Sequence, residues 1–219
     1  MPRTRAAGFE GQREHIIRQA AALFARNGYT GTSMNEVAAA CGLSKAALYH
    51  YVSDKSELLV YICESHIQRL CTLIDEVERQ ALPPEAGLTL MVHRFVAEYA
   101  GAENEHRVLT EDVKFLDQKD RKRILDGQRK VVDAMAGAMI GVRPELAGSS
   151  MAKPLTMLLF GMINWMFMWR KPDGVLTHER MAVMVTDLLF GGLGAVRLDG
   201  KPKRAGKPAA GKAKRPGQD

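Results

Sequence analysis

Long uninterrupted apolar runs are missing from this chain of 219 residues. Its most apolar segment, residues 155–169, contains Asn164 and is shorter than the roughly 20 apolar residues that a membrane-spanning helix needs. The first twenty residues carry four arginines with no apolar stretch between them, which is unlike a secretory signal. We therefore expect no membrane span and a cytoplasmic location.

Cysteine is also scarce, with only Cys41, Cys63 and Cys71 in the chain. Three scattered cysteines favour neither a disulfide framework nor a zinc site. If Cys63 and Cys71 share one helix, eight residues separate them by roughly 12 Å, which is too far for a disulfide. A thiol-based redox switch is an alternative function, but no neighbouring residue in the sequence clearly lowers a thiol pKa.

The motifs of the common enzyme classes are absent as well. The sequence contains no glycine-rich phosphate loop, no His/Cys set with metal-ligand spacing and no nucleophile in a recognisable local context. His93, His106, Glu111 and Asp112 are spaced too loosely to favour a metal ion. We predict that the chain is not an enzyme and carries no cofactor or metal.

The net charge of +6 is concentrated at the C-terminal end. Residues 201–219 hold seven basic residues and one acidic residue, whereas residues 1–55 carry +3 and residues 56–200 carry −3. Positive ends on a neutral or acidic body favour a polyanionic partner such as nucleic acid. The tail lacks apolar periodicity and is predicted to be disordered. A protein that coats DNA without regard to sequence is therefore an alternative function.

Apolar residues recur at helical spacing along the rest of the chain, without the alternation typical of strands. We predict an all-α fold, with an N-terminal three-helix helix-turn-helix DNA-binding domain followed by a larger helical ligand-binding and dimerisation domain. The expected segments are a flexible basic arm (1–9), the DNA-binding domain (10–55), the larger domain (56–198) and a disordered basic tail (199–219). Helices are predicted over 10–27, 34–41, 45–52, 54–82, 85–100, 104–115, 120–140, 150–170 and 178–193.

The strongest local signal covers residues 32–59, with the sequence TSMNEVAAACGLSKAALYHYVSDKSELL. Two short helices are predicted on either side of a tight turn at Cys41-Gly42-Leu43, and the small Ala38 and Ala39 stand where the helices must cross closely. This spacing is typical of a helix-turn-helix, whose second helix enters the major groove of DNA. The spacing alone also matches an ordinary helical hairpin.

The residues around this motif resemble the tetracycline-repressor (TetR) family. The matching elements are Phe24…Gly28-Tyr29, Thr32-Ser33, Gly42-Leu43-Ser44 and the run LYHYVSDKSEL over 48–58. The close match covers roughly residues 10–60, and the rest agrees in helix number and length. The resemblance implies a bacterial transcriptional regulator, most often a repressor, that binds a palindromic operator in duplex DNA as a homodimer and is released by a small-molecule effector.

The resemblance and the motif geometry together indicate the residues that contact DNA. Thr32 and Ser33 are expected to cap the first motif helix and to face a phosphate, and Glu36 is expected to complete a capping box with Ser33. Ser44 is expected to cap the second motif helix. Lys45 and Tyr49 are expected on the exposed face of the recognition helix, where they can contact base edges. The alternative for Lys45 is a solvated side chain without a DNA contact, and the alternative for Tyr49 is packing against the protein. His50 is expected to reach the DNA backbone, and Lys55 is expected to begin the next helix near a phosphate. The predicted DNA-binding set is Thr32, Ser33, Ser44, Lys45, Ala46, Tyr49, His50 and Lys55.

The last two helices are more apolar than surface helices need to be, and the resemblance implies dimerisation through them. The predicted dimer interface is Met162, Trp165, Met166, Trp169, Met184 and Leu188. The middle helices are expected to enclose an adaptable apolar effector pocket lined by Met91, Phe95, Tyr99, Phe115, Met135 and Met139. For both sets, internal packing is the alternative.

A further resemblance, carried by residues 161–165 and 169–174, is to a TetR subgroup that responds to acyl-coenzyme A thioesters. It implies an acyl-CoA effector. The basic residues at 121–123 and 129–130 are candidates for contacting the coenzyme phosphates, and a solvated helix face is their alternative role.

Overall fold

The computed structural model describes residues 3–169 and 176–196, and these form α-helices, two 3₁₀ turns and loops, with no strand among them. The predicted all-α fold is confirmed. The α-helices are α1 (Arg3–Asn27), α2 (Met34–Ala40), α3 (Lys45–Leu48), α4 (Lys55–Glu78), α5 (Pro84–Gly101), α6 (Glu103–Glu111), α7 (Gln118–Val142), α8 (Ala152–Asn164), α9 (Met166–Trp169) and α10 (His178–Leu193). The 3₁₀ turns are Val113–Phe115 and Pro144–Leu146. We call α1–α3 the head and α4–α10 the body.

Side-chain caps set the starts of the helices in and next to the head. The Ser33 hydroxyl accepts a hydrogen bond from the Glu36 N–H at 3.2 Å, and the Glu36 carboxylate accepts one from the Ser33 N–H at 2.7 Å, which completes a capping box. Ser44 and Asp54 cap α3 and α4 by accepting from the N–H of the third residue of each helix. These bonds involve residues three apart, so the local sequence predicts them.

Helix α4 joins the two units because it packs against α1 of the head and against α5, α6 and α7 of the body. Leu58 and Leu59 in its first turns are fully buried, and one continuous hydrophobic core extends through head and body. At the C-terminal end α10 packs against α5 and α8. None of the helices in the described part of the chain is long and apolar enough to span a membrane.

Several helix boundaries differ from those predicted, among them those of α1, α3 and α8. Helix α1 begins at Arg3, so the arm expected at 1–9 is helical from its third residue. Helix α3 ends at Leu48 because the amides of His50 and Tyr51 bond to carbonyls three residues back and tighten the chain into a turn. The long helix predicted to about residue 170 is interrupted at Trp165. The predicted tail, 199–219, lies outside the described residues.

Candidate DNA-binding head and ligand cavity

The recognition helix presents its predicted contact residues on one exposed surface. Ser44, Lys45, Ala46, Tyr49 and His50 are all exposed, and Tyr49 keeps 43% of its surface accessible despite being aromatic. Between them Leu48 is fully buried and anchors the short helix to the head core. The helix thus has one side that packs and one side that is free to meet a ligand as large as duplex DNA.

Thr32 has a different role from the one predicted. Its side chain is buried, and its hydroxyl lies 3.0 Å from the Gly28 carbonyl and 3.3 Å from the Leu23 carbonyl, to which it donates. These carbonyls lie at the C-terminal end of α1, where the helix leaves acceptors unsatisfied. Thr32 therefore caps the end of α1, and the expectation that it caps α2 and faces a phosphate is wrong.

Lys55 is also turned inward. Its ammonium donates hydrogen bonds to the carbonyl oxygens of Tyr29 and Thr32, both at 2.9 Å, and lies 4.5 Å from the centre of the Tyr29 ring. Lys55 does begin the next helix, as predicted, but its charge is directed at the loop between α1 and α2. The predicted phosphate contact is contradicted, because two main-chain acceptors and an aromatic face already surround the ammonium.

An aromatic stack joins the head to the body. Phe115, in the turn after α6, stacks on Tyr29 of the head with 5.3 Å between ring centres, and Tyr29 in turn packs edge-on against Phe24. Phe115 was expected in the effector pocket, but it is 42% exposed and lies at this joint instead. Its position ties the C-terminal end of α6 to the loop that Lys55 holds.

The body contains a cavity of about 180 Å³, partly open to solvent, between α4, α5, α6, α7 and α8. Tyr99 is the member of the predicted pocket set that lines it, whereas Met91, Phe95, Met135 and Met139 are fully buried in the packed core. Helical periodicity identifies which residues face inward, but it does not show where the packed helices leave a cavity. This is why four of the predicted lining residues belong to the packed core. The lining residues are Ile67, Leu70, Tyr99, His106, Leu109, Thr110, Gln128, Val131, Val132, Met157, Phe160 and Asn164.

The polar groups of this cavity are uncharged. Burial lowers the pKa of His106 to about 4, and burial together with the neighbouring His106 and Arg69 lowers the pKa of His66 behind it to about 3, so both rings are neutral at pH 7. The two rings contact each other at 3.2 Å. The Asn164 carbonyl oxygen (Oδ1) is buried and accepts no hydrogen bond from any residue of the described ranges. Asn164 was visible in the sequence as a polar residue within an apolar segment.

An apolar surface covers the outer sides of α8, α9 and α10. Trp165, Trp169, Met184 and Leu188 of the predicted dimer interface are exposed, Leu188 by 65%, and Met162 is half-buried. Met166 is 4% exposed and packs in the protomer core, so it cannot contribute to this surface. We call the surface the apolar face; its exposed members are Met157, Leu158, Trp165, Trp169, Val183, Met184 and Leu188.

The three thiols lack the environment of a reactive cysteine. Burial raises the pKa of Cys41, Cys63 and Cys71 above the ordinary thiol value, most strongly for the fully buried Cys63. A reactive thiol needs the opposite shift, toward the thiolate. These environments disfavour the redox switch that the sequence left open.

Known proteins resemble the chain along most of its length. The crystal structure of a TetR-family transcriptional regulator from Bordetella parapertussis 12822 is 32% identical with a TM-score of 0.78, and the match covers 84% of this chain and 97% of that one. The crystal structure of AibR in complex with isovaleryl coenzyme A and operator DNA is 28% identical with a TM-score of 0.73, covering 82% and 98%. The regulator AcrR of Shigella flexneri is 34% identical over 103 residues; the match covers 45% of this chain and 46% of AcrR, less than half the length of that relative.

Two family models match the chain, one in each half. Residues 16–62 match the model described as bacterial regulatory proteins, tetR family, and residues 81–193 match the tetracyclin repressor-like C-terminal domain. The second match alone covers half of the chain, and the Bordetella structure extends the similarity across the junction at 32% identity. The chain therefore belongs to the TetR family of bacterial transcriptional regulators.

Proposed function

We propose that the protein is a ligand-responsive transcriptional repressor that binds a palindromic operator as a homodimer and releases it when a small effector enters the cavity of the body. The cavity carries this proposal, because it is bounded by α4 and α6, the two body helices that pack directly against α1 of the head. A ligand that changes the spacing of α4 and α6 therefore has a short mechanical route to the DNA-binding surface.

The head supports sequence-specific binding through the exposed side of α3. One such helix buries little surface, and proteins of this kind gain specificity by placing two of them about one DNA turn apart. A palindrome should therefore bind far more tightly than random duplex at the same salt concentration. Equal affinity for both would instead support the alternative of a sequence-indifferent DNA-coating protein.

The apolar face supports dimerisation. Seven exposed large apolar side chains on three neighbouring helices form a patch of the kind that marks an interface. In a two-fold dimer the same patch is present on both partners, so that one substitution changes the interface twice.

Leu188→Asp should convert the dimer into monomers. Each interface would then have to desolvate two carboxylates, and the cost is several kcal/mol per ion. Because Leu188 is largely exposed in the protomer, helicity should be unchanged. Sedimentation velocity measures the outcome, and Leu125→Asp, an exposed leucine of α7 outside the apolar face, is the matched control. If L188D stays dimeric, or if L125D is equally monomeric, the apolar face is not the dimer interface.

The cavity limits the chemistry of the effector. A cavity of about 150 Å³ is known to hold benzene, so the observed volume suits a group of about five to seven carbon atoms. None of the lining residues is charged at pH 7, and the buried Asn164 oxygen requires a hydrogen-bond donor. A short-chain acyl-CoA thioester has both features, because its acyl group is apolar and the pantetheine amide of its coenzyme can donate an N–H to Asn164. Isovaleryl coenzyme A is the ligand bound in the similar AibR complex.

We expect five-carbon acyl-CoA to release operator at lower concentrations than hexadecanoyl-CoA, because most of the carbons of the long chain do not fit in the cavity and would stay in contact with water. Asn164→Leu should raise the effective concentration about tenfold, since it leaves the ligand donor without a partner. Fluorescence anisotropy of labelled operator measures release, and Leu109→Met, a change of similar volume on the cavity wall outside the apolar face, is the control. An unchanged response in N164L would remove Asn164 from the site.

A further inference from the structure

A second, larger space lies where the head meets the body. This cleft has a volume of about 500 Å³ and is formed by α1 of the head together with α4 and α7 of the body. It is chemically unlike the cavity, because charged side chains from both units line it. The lining residues are Arg13, Ile17, Tyr61, Glu64, Ser65, Ile67, Gln68, Cys71, Arg123, Ile124, Gly127 and Lys130.

The cleft has an excess of positive charge. Arg13, Arg123 and Lys130 line it, against Glu64 as the carboxylate among the lining residues. Arg123 pairs with this carboxylate, with its Nε 2.8 Å from the Glu64 oxygen, and also with the Asp120 carboxylate at 3.3 Å. Lys130 is exposed and makes no ion pair with the residues that the structure describes. Two of the three cations therefore lack a carboxylate in the cleft.

The third cation, Arg13, is held in place by the body. Its guanidinium lies 4.0 Å from the centre of the Tyr61 ring, and its nearest carboxylate contact, to Glu10, is 4.0 Å long on the head side. Stacking on an aromatic ring orients the planar guanidinium. The guanidinium has five N–H donors, more than its contacts with the Tyr61 hydroxyl and the Glu10 carboxylate use, and the Glu57 carboxylate also lies nearby. Arg13 is therefore a preorganised donor at the wall of the cleft.

This donor set points to one class of ligand. Guanidinium and ammonium groups converging on one space bind multiply charged oxyanions, and arginine in particular matches phosphate geometry with paired hydrogen bonds. Gln68 adds a neutral donor, and Ile17 and Ile124 provide apolar surface for an organic portion. We propose that this cleft binds a small phosphate-bearing anion across the joint between head and body.

The cleft is separate from the effector cavity. Ile67 lines both spaces, and α7 approaches it so closely at Gly127 that a Cβ there would lie 3.0 Å from the Ile67 side chain. Ile67 is the lining residue that the two spaces share, and their other lining residues differ. The phosphate site and the effector cavity can therefore be tested separately, and either can fail without the other.

Calorimetric titration of the full-length protein with inorganic pyrophosphate tests the proposal, and sulfate at equal ionic strength controls for bulk charge. Pyrophosphate should bind once per protomer, and Lys130→Gln should weaken it about tenfold, the value of a charge-assisted hydrogen bond. Arg13→Gln should weaken it further. Lys122→Gln, an exposed lysine of α7 outside the cleft, is the matched control. Because Lys130 is exposed, K130Q should fold normally, and it tests the proposal even if R13Q disturbs the fold.

Competition then identifies the source of the phosphate. Displacement of pyrophosphate by free coenzyme A, which has no acyl group, would support a coenzyme phosphate, and displacement by ATP would support a free nucleotide.

Val132→Phe, which fills the cavity, should leave pyrophosphate binding intact while blocking the acyl response. Absence of pyrophosphate binding, equal binding of sulfate, or equal losses in K122Q and K130Q would overturn the proposal.

Discussion

Operator binding should fall by at least a thousandfold when Lys45 and Tyr49 are both replaced by alanine. Each good contact to a base is worth about 1–3 kcal/mol, and a dimer makes every contact twice, so that four contacts are lost together. Both side chains are exposed, and the buried neighbour Leu48 remains to hold α3 in place. Fluorescence anisotropy with the operator and with random duplex measures the loss of specific binding.

The control for this experiment is Lys119→Ala, which removes an exposed lysine of α7, outside the helix-turn-helix. Circular dichroism and sedimentation should show that the double variant keeps its helicity and its dimeric state. Affinity within threefold of the wild type would mean that α3 does not contact the operator bases.

Lys55→Met should destabilise the protein and abolish operator binding at the same time. The change removes two hydrogen bonds to a charged donor, each worth about 1.5–3 kcal/mol, and leaves the Tyr29 and Thr32 carbonyls without that partner. A loss of about 3 kcal/mol lowers the melting temperature of a chain of this size by about 6–12 °C. Thermal unfolding followed by circular dichroism measures the shift.

The same variant separates a structural role for Lys55 from the phosphate contact that the sequence suggested. Lys122→Met, which removes only an exposed pair with Asp126, should shift the melting temperature little. If K55M keeps the wild-type melting temperature but loses operator affinity and salt dependence, the ammonium contacts DNA and the inward geometry is not its main role.

Features that depend on residues close in sequence were predicted well. The capping box of Ser33 and Glu36 and the cap at Ser44 follow from side chains that bond three residues ahead, and the structure has both. The helix-turn-helix was predicted for the same reason, because its turn and its exposed surface are encoded within about 28 consecutive residues. The all-helical body follows from periodicity alone.

Features that depend on distant residues were not predicted. A threonine or lysine beside a DNA-binding motif can donate hydrogen bonds either to a DNA phosphate or to a main-chain carbonyl. Only the fold shows that Thr32 and Lys55 donate to carbonyls. Met135 and Met139 face inward as expected, but whether inward residues leave a cavity depends on how helices cross. Phe115 was misplaced because it lies in a turn, where helical periodicity gives no direction.

The stack of Tyr29 on Phe115 bears on attempts to build chimeric biosensors from regulators of this kind. A designer who joins the head of one protein to the body of another at residue 55 cuts the chain at the lysine that fixes the Tyr29 loop, and separates two rings that come from different sides of the junction. Helix α1 also packs against α6, far beyond that cut. A working hybrid would need both rings and the α1-facing surface of α6 to come from the same protein. The residues that must be transferred together are therefore not contiguous in sequence.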